Sequence, residues 1–338
     1  MRLLIAGWQG LIARALIDVA PGRADVTACA IGRPALNICE VGSIERALSD
    51  IQPNVIINTA AYTAVDKAEL EPERAFALNR DGARMLAGVA ARRGIPIIHL
   101  STDYVFDGRA ALAYVETDPT APTTVYGRSK LEGEEAVRAA NPKHIILRTA
   151  WVYSPLGRNF VTTIVQRARE DAPLRVVTDQ HGSPTYAPHL ADVILALSGR
   201  LTAPTGKDPS WGIYHAAGSG RASWYDVAHQ VLLSSDDLKP AIARLVAISS
   251  TEHPTRARRL VNSELDCTKF YRNFQLRLPP WHEGVNACVD RWRRAERWRA
   301  ASMLQLRDLA HAPPRTRPRP DLKAAKNCRT ESGVRIAG

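Results

Sequence analysis

Tyr126 and Lys130 stand four residues apart in Val125-Tyr126-Gly127-Arg128-Ser129-Lys130. On a helix that spacing puts a phenol and an ammonium on one face. An isolated tyrosine titrates at about 10 and is a weak proton relay at neutral pH, whereas a lysine held beside it favours the phenolate. Moving the phenol by about three pH units takes ~4 kcal/mol. A bare YxxxK also fits a solvated helix with an aromatic on its inner face. Two other segments separate these readings.

The first is the amino terminus. Arg2-Leu3-Leu4-Ile5-Ala6 reads as a buried parallel strand and runs directly into Gly7-Trp8-Gln9-Gly10-Leu11-Ile12-Ala13, a GxxGxxA turn. Glycines at 7 and 10 let the backbone turn tightly and approach a pyrophosphate, and the helix that follows offers unpaired N–H groups to the anion. Ala13 satisfies the need for a small residue where helix meets strand. The second segment is Ile95 to Tyr104, an apolar strand ending in Ser101-Thr102-Asp103. Open α/β sheets gather ligands at the carboxyl ends of their strands, so Thr102 falls where a hydroxyl could bond a carbonyl and align it with the phenol. The alternative for Thr102 is a turn cap.

These side chains need a frame. Apolar runs alternating with helical patterns predict βαβ units and a parallel sheet. Strands are expected near 2–7, 26–31, 54–59, 95–101, 144–149 and 174–178, with short ones at 211–215 and 245–248. Helices are expected near 10–20, 43–50, 66–92 with a break, 123–140, 159–170 and 224–233. The fold class is therefore α/β, a Rossmann-like doubly wound parallel sheet with a smaller C-terminal substrate-binding portion. Residues 1–150 would form mainly the NAD(P)-binding core, 151–298 the rest of the core and the substrate-binding portion, and 299–338 a basic tail.

The net charge of +11 suggests nucleic acid until it is located. From Arg291 onward there are 13 Lys/Arg against 4 Asp/Glu, so nine of the surplus charges lie there and the remainder of the chain is nearly neutral. Centred on Pro313-Pro314-Arg315-Thr316-Arg317-Pro318-Arg319-Pro320, the tail cannot bury an apolar face and reads as disordered and solvated, without a nucleic-acid partner. Arg291 to Arg299, with Trp292 and Trp298 between arginines, reads as helix packed on the body. Cys29, Cys39, Cys267, Cys288 and Cys328 have no metal-ligand spacing, and an odd number argues for a reducing compartment. No run reaches the roughly 18 apolar residues of a membrane span, and the start does not read as a signal peptide. A cytoplasmic protein without membrane contact is expected.

The second strand bears on cofactor choice. An enzyme gripping the ribose of NAD offers Asp or Glu about 20 residues after the glycines, whereas this strand ends Ala30-Ile31-Gly32-Arg33. Arg33 suits a 2′-phosphate, which points to NADPH, with NADH as the alternative.

The segments 54–69 (NVIINTAAYTAVDKAE), 99–108 (HLSTDYVFDG), 123–134 (TTVYGRSKLEGE), 146–160, 176–185 and 258–270 (RRLVNSELDCTKF) together resemble dTDP-4-dehydrorhamnose reductases, members of the extended short-chain dehydrogenase/reductases. The resemblance runs from Met1 to about Trp292. It implies that Thr102, Tyr126 and Lys130 are catalytic; that Gly10, Leu11 and Ile12 touch the cofactor pyrophosphate; that Ala60, Ala61 and Tyr62 lie along its nicotinamide half; that Asp103 and Trp151 stand near the sugar; and that Arg256 and Ser263 lie in the segment closing over the nucleotide end. The implied reaction is NADPH-dependent reduction of the C4 ketone of a dTDP-linked 6-deoxy-4-ketohexose to dTDP-L-rhamnose. Tyr126 would be the proton donor, and Lys130 would also bond the nicotinamide ribose.

The chain departs from the family pattern at Trp8-Gln9-Gly10-Leu11-Ile12-Ala13, and at Asn37, where an aspartate is usual at the adenosine end. Some members form a metal-bridged dimer, so a homodimer is one expectation, yet no acidic ligands for Mg2+ can be picked out. Two alternatives share the fold: a non-catalytic dinucleotide-binding subunit resembling the regulatory subunit of methionine adenosyltransferase, and a nucleotide-sugar epimerase or 4,6-dehydratase. Dehydratases follow the threonine with Asp-Glu, whereas this chain has Asp103-Tyr104.

Overall fold

Five strands from the first 150 residues, β1 (Arg2–Ala6), β2 (Thr27–Ile31), β3 (Val55–Asn58), β4 (Ile97–Thr102) and β5 (His144–Thr149), form most of a six-stranded parallel sheet. The computed structural model describes residues 1–202 and 210–311, with side chains to residue 297. The strand order is Gly212–His215, β5, β4, β3, β1, β2, and every neighbouring pair is parallel. The order reverses beside β1, which opens a crevice at the carboxyl ends of β1 and β3, the usual ligand position of this architecture.

Alternation along β1 builds both layers. Leu3 and Ile5 pack with Ala13, Leu16, Leu190 and Ile194, where helices Leu11–Val19 and Ala187–Thr202 cover one face. Leu4 and Ala6 point the other way, into Ile44, Leu48, Leu86, Val89 and Val137 of helices Val41–Ile51, Ala83–Arg92 and Val125–Ala140. With both faces covered, the strands are mostly apolar, as buried parallel strands are, and their buried polar residues cluster towards the carboxyl ends of β3, β4 and β5. The break expected within 66–92 falls at residues 69–71, between the short helix Val65–Ala68 and Pro72–Phe76; a π-helical stretch, Ala77–Gly82, then joins Pro72–Phe76 to Ala83–Arg92.

The segment 174–178 does not join this sheet. Leu174–Val177 pairs in parallel with Leu245–Ile248 in a separate two-stranded sheet, and the sixth central strand is Gly212–His215. The physical reason is visible in Arg175, which is exposed and salt-bridged to Glu252 at 2.8 Å. A strand covered on both sides tolerates a charge only when it is paired inside, as Arg148 is with Glu134, whereas Arg175 reaches solvent.

A second core holds Val161, Ile164, Val165, Leu174, Val176, Val227, Val231, Val285 and Val289, all from beyond residue 150. Met1–Arg293 form one unit, and Arg294 onward a second, whose described part continues the helix Trp281–His311. Trp292 packs against the second core with Arg169 over its ring. The side chain of Trp298, the Pro/Arg-rich tail and Cys328 lie outside the described residues. Cys29, Cys39, Cys267 and Cys288 are free thiols. Among the described residues, no helix is long and apolar enough to cross a membrane, and no three His, Cys, Asp or Glu side chains converge to hold a metal.

Candidate active site

The glycine turn leaves β1 through Gly7 at φ +100°, where a Cβ would lie 2.9 Å from the Ala60 backbone. Only glycine accepts both the conformation and the approach. Gly10 then caps the nine-residue helix Leu11–Val19 with no side-chain hydrogen bond and no acidic residue in the first turn. A Cβ at Gly10 would meet nothing within 4 Å. Gly10, Leu11 and Ile12 line open space at this helix start, which is what a bound diphosphate requires.

From this turn a groove of about 530 Å³ runs along the strand ends, walled by Gly10, Leu11, Ile12, Ala61, Thr102, Tyr126, Lys130 and Trp151. Ala60 and Tyr62 share the loop of Ala61 but are held elsewhere: Ala60 N–H donates to Asn58 Oδ1, and the Tyr62 hydroxyl to Glu71. Arg33 is exposed at the end of β2 and lies off this wall. Asn37 is engaged locally, with Nδ2 donating to Glu40 and Oδ1 accepting from Cys39 N–H, a turn that leads into helix Val41–Ile51.

Thr124 caps the helix Val125–Ala140, accepting from Gly127 N–H at 3.0 Å. Position 127 must be glycine, since a Cβ would come 2.2 Å from the Tyr104 carbonyl oxygen. The helix is thereby drawn against β4, and Tyr126 and Lys130 both reach the groove. Tyr126 is buried edge-on against Tyr104, with ring centroids 5.6 Å apart. Burial pushes its phenol above the ordinary range; the Thr102 hydroxyl opposes this, and Asp103 and Tyr104 add to it. This upward shift runs against the lowering by Lys130 that the spacing suggested. The lysine directs its hydrogen bonds behind the phenol, with Nζ 2.6 Å from Leu100 O and 3.3 Å from His99 Nε2. Burial moves its ammonium down to about 8, against the pull of Glu134.

Glu134, one turn beyond Lys130, is buried and held bidentately by Arg148 of β5 at 2.9 and 2.7 Å. Ser101 donates to the same carboxylate at 2.5 Å. This pair ties the helix to β4 and β5 where Thr102 leaves the sheet. Thr102 Oγ1 donates to Asp103 Oδ1 at 2.9 Å and accepts from Tyr104 N–H. Asp103 is 2% exposed and its Oδ2 lacks a hydrogen-bond partner, so burial pushes the carboxyl up to about 6, against the hydrogen bond from the Thr102 hydroxyl.

A second cavity of about 340 Å³ adjoins the groove, sharing Asp103, Tyr104, Trp151, Trp224 and Arg259 with it. Ser263 lines this cavity. Trp151 sits at φ +47° just past β5, its ring parallel to that of Trp224 at 3.6 Å. Arg259, ion-paired to Asp66, is the arginine that both cavities share, and Arg167 and Arg175 also line the second; Arg256 is exposed and lines neither. Asp66 also accepts from Ala257 N–H at 2.9 Å, which pins the segment. Sequence reasoning did not single out Tyr104, Trp224 or Arg259. The available signals were an aromatic adjoining Thr102-Asp103, a Ser223/Asp226 capping box around Trp224, and a place for Arg259 inside the 258–270 segment.

Residues 1–294 match the family model described as RmlD substrate binding domain. A dTDP-4-dehydrorhamnose reductase of Sinorhizobium fredii is 46% identical over 289 residues, which cover 86% of this chain and 97% of that protein. The chain belongs to the dTDP-4-dehydrorhamnose reductase family. Solved reductases of the family share its fold. That of Clostridium acetobutylicum superposes with a TM-score of 0.77 at 33% identity, covering 86% of this chain and 99% of its own. That of Bacillus anthracis, in complex with NADP, superposes at 0.76 and 31%, with the same coverage.

Proposed function

We propose that this chain reduces the C4 ketone of dTDP-4-dehydro-6-deoxy-L-mannose to dTDP-L-rhamnose, with NADPH as reductant, in the cytoplasm. The observation carrying the reading is the convergence of Thr102, Tyr126 and Lys130 on one groove that starts at the Gly10 turn and opens onto a second cavity through Asp103 and Trp151. Residues 1–150 supply mainly the cofactor side, and the half beyond supplies Trp151, Trp224, Arg259 and Ser263 to the sugar-nucleotide side.

Gly10, Leu11 and Ile12 would hold the dinucleotide's diphosphate at the helix start, and Arg33 its 2′-phosphate. When bound, the reduced nicotinamide supplies hydride. Tyr126, kept protonated by its burial, gives its hydrogen to the ketone oxygen as charge develops there. Thr102, whose one hydrogen lies on Asp103 in the structure, turns it to the ketone oxygen when the substrate is bound and so orients that oxygen. Lys130, with one N–H on Leu100 O, keeps a hydrogen for the cofactor ribose. Arg259 offsets the charge of the sugar diphosphate, and the paired rings of Trp151 and Trp224 exclude water from the sugar.

The test supplies the dTDP-linked 4-keto sugar with NADPH and with NADH and identifies the product. Oxidation of NADPH with formation of dTDP-L-rhamnose is expected. Interconversion without net cofactor consumption would instead identify an epimerase, and cofactor binding without turnover a binding subunit.

A further inference from the structure

Behind Lys130 runs a buried chain of polar groups that ketone reduction does not by itself require. His99, fully buried within β4, places Nε2 3.3 Å from Lys130 Nζ and Nδ1 3.0 Å from Asn58 Nδ2. Asn58, the last residue of β3 and also buried, accepts Ala60 N–H on Oδ1 at 3.2 Å. The orientation of an amide follows from its partners. A backbone N–H can only donate, so Oδ1 belongs at Ala60 and Nδ2 at His99, where it too can only donate. Nδ1 of His99 is therefore the acceptor. Burial and Lys130 keep this imidazole neutral, and a neutral ring with Nδ1 accepting carries its hydrogen on Nε2.

That hydrogen points at Nζ. An ammonium has three donors and no lone pair, and would set N–H against N–H; an amine has a lone pair to receive it. The amine still has two hydrogens, one for Leu100 O at 2.6 Å and one for the groove. We propose that His99, as a positioning residue, holds Lys130 as a neutral amine in the unliganded enzyme, and that Lys130 takes up one proton when NADPH binds. The inference rests on the reading of the groove as the NADPH site and deepens it.

The charges around Lys130 agree. Glu134 acts on it from its own helix and His99 lies against it from β4, Arg148 of β5 is paired with Glu134, and Tyr126 lines the same groove. The Glu134 carboxylate is already matched by the Arg148 guanidinium, Tyr126 is an uncharged phenol, and Asp103, on the same groove, acts on Tyr126 rather than on Lys130, so no anion at Nζ calls for an ammonium. A dinucleotide brings its diphosphate and ribose oxygens, both of which favour the charged form. A proton from solvent then adds to Nζ, while His99 keeps its hydrogen on Nε2 and Asn58 keeps its oxygen on Ala60 N–H; the ammonium turns its hydrogens to Leu100 O and the dinucleotide's ribose, away from Nε2.

The experiment is calorimetric titration of the full chain with NADPH at about pH 8.5, in buffers of different ionisation enthalpy, so that proton uptake is read apart from turnover. The wild type should take up about 0.5–1 proton per site, and Lys130→Met essentially none. His99→Gln, whose carboxamide can accept from an ammonium at rest, should show less than half the wild-type uptake. Asn58→Asp should do the same, because it offers Nδ1–H an acceptor and leaves Nε2 free to accept; it also covers failure of the histidine variant to fold. NADPH binding without proton uptake, or undiminished uptake in both variants, overturns this inference alone. Absence of NADPH binding overturns the cofactor reading with it.

Discussion

A group that is to give up a proton must first hold one. Tyr126 meets that condition by burial, which raises its phenol against the opposing effect of the Thr102 hydroxyl. Tyr126→Phe keeps the ring and its edge-on contact with Tyr104 but has no hydrogen to give, so kcat should fall by about 10²–10⁴-fold with little change in folding; steady-state rates beside a thermal melt check this. Retention of near-normal turnover would remove Tyr126 as the acid. Asp103 poses the opposite problem, since a carboxylate 2% exposed with one oxygen unpartnered is held against its own desolvation.

At the scale of elements, the site depends on how the helix Val125–Ala140 is clamped to the sheet. Arg148, Glu134 and Ser101 join three elements in a region that water does not reach. Removing one partner of a buried pair leaves the other charge uncompensated, so Arg148→Met should lower stability by about 3–5 kcal/mol in urea unfolding. The double variant Glu134→Gln/Arg148→Met, which leaves no buried charge, should lose less than the single. At the other wall of the groove, Gly7→Ala should lose more than about 1 kcal/mol, because a side chain there meets both an unfavourable φ and the Ala60 backbone. A melting temperature equal to wild type would show that the turn has room to relax.

For the molecule as a whole, Asp103 predicts a pH dependence of stability. Its carboxyl is raised from an ordinary carboxylate value to about 6 in the folded state. The favourable contribution is therefore complete below about pH 4 and is lost as pH rises through about 6. Asp103→Asn should remove that component, becoming more stable relative to wild type by about 2–3 kcal/mol between pH 4 and 7. Denaturant unfolding of both proteins across this range gives the difference curve, and a flat difference would show that the carboxyl is not titrating there.

What the sequence by itself determined is local or ordered along the chain. A strand running into GxxGxxA, a hydroxyl at a strand end and YxxxK at helical spacing each declare their geometry through a few neighbouring residues, and their order follows the winding of a parallel sheet. The mostly apolar runs behind β1, β3, β4 and β5 were legible because burial on both faces leaves little choice of residue. Tertiary structure decided what depends on residues far apart in sequence. It gave the sixth central place to Gly212–His215 and sent Leu174–Val177 to a smaller sheet. It put Arg259 rather than Arg256 at the cavity wall and turned Lys130 towards His99 and Leu100. Spacing along a chain fixes which side chains share a face, but hydrogen bonding, charge pairing and desolvation depend on ångström distances and on what excludes water, and these exist only once the layers have packed.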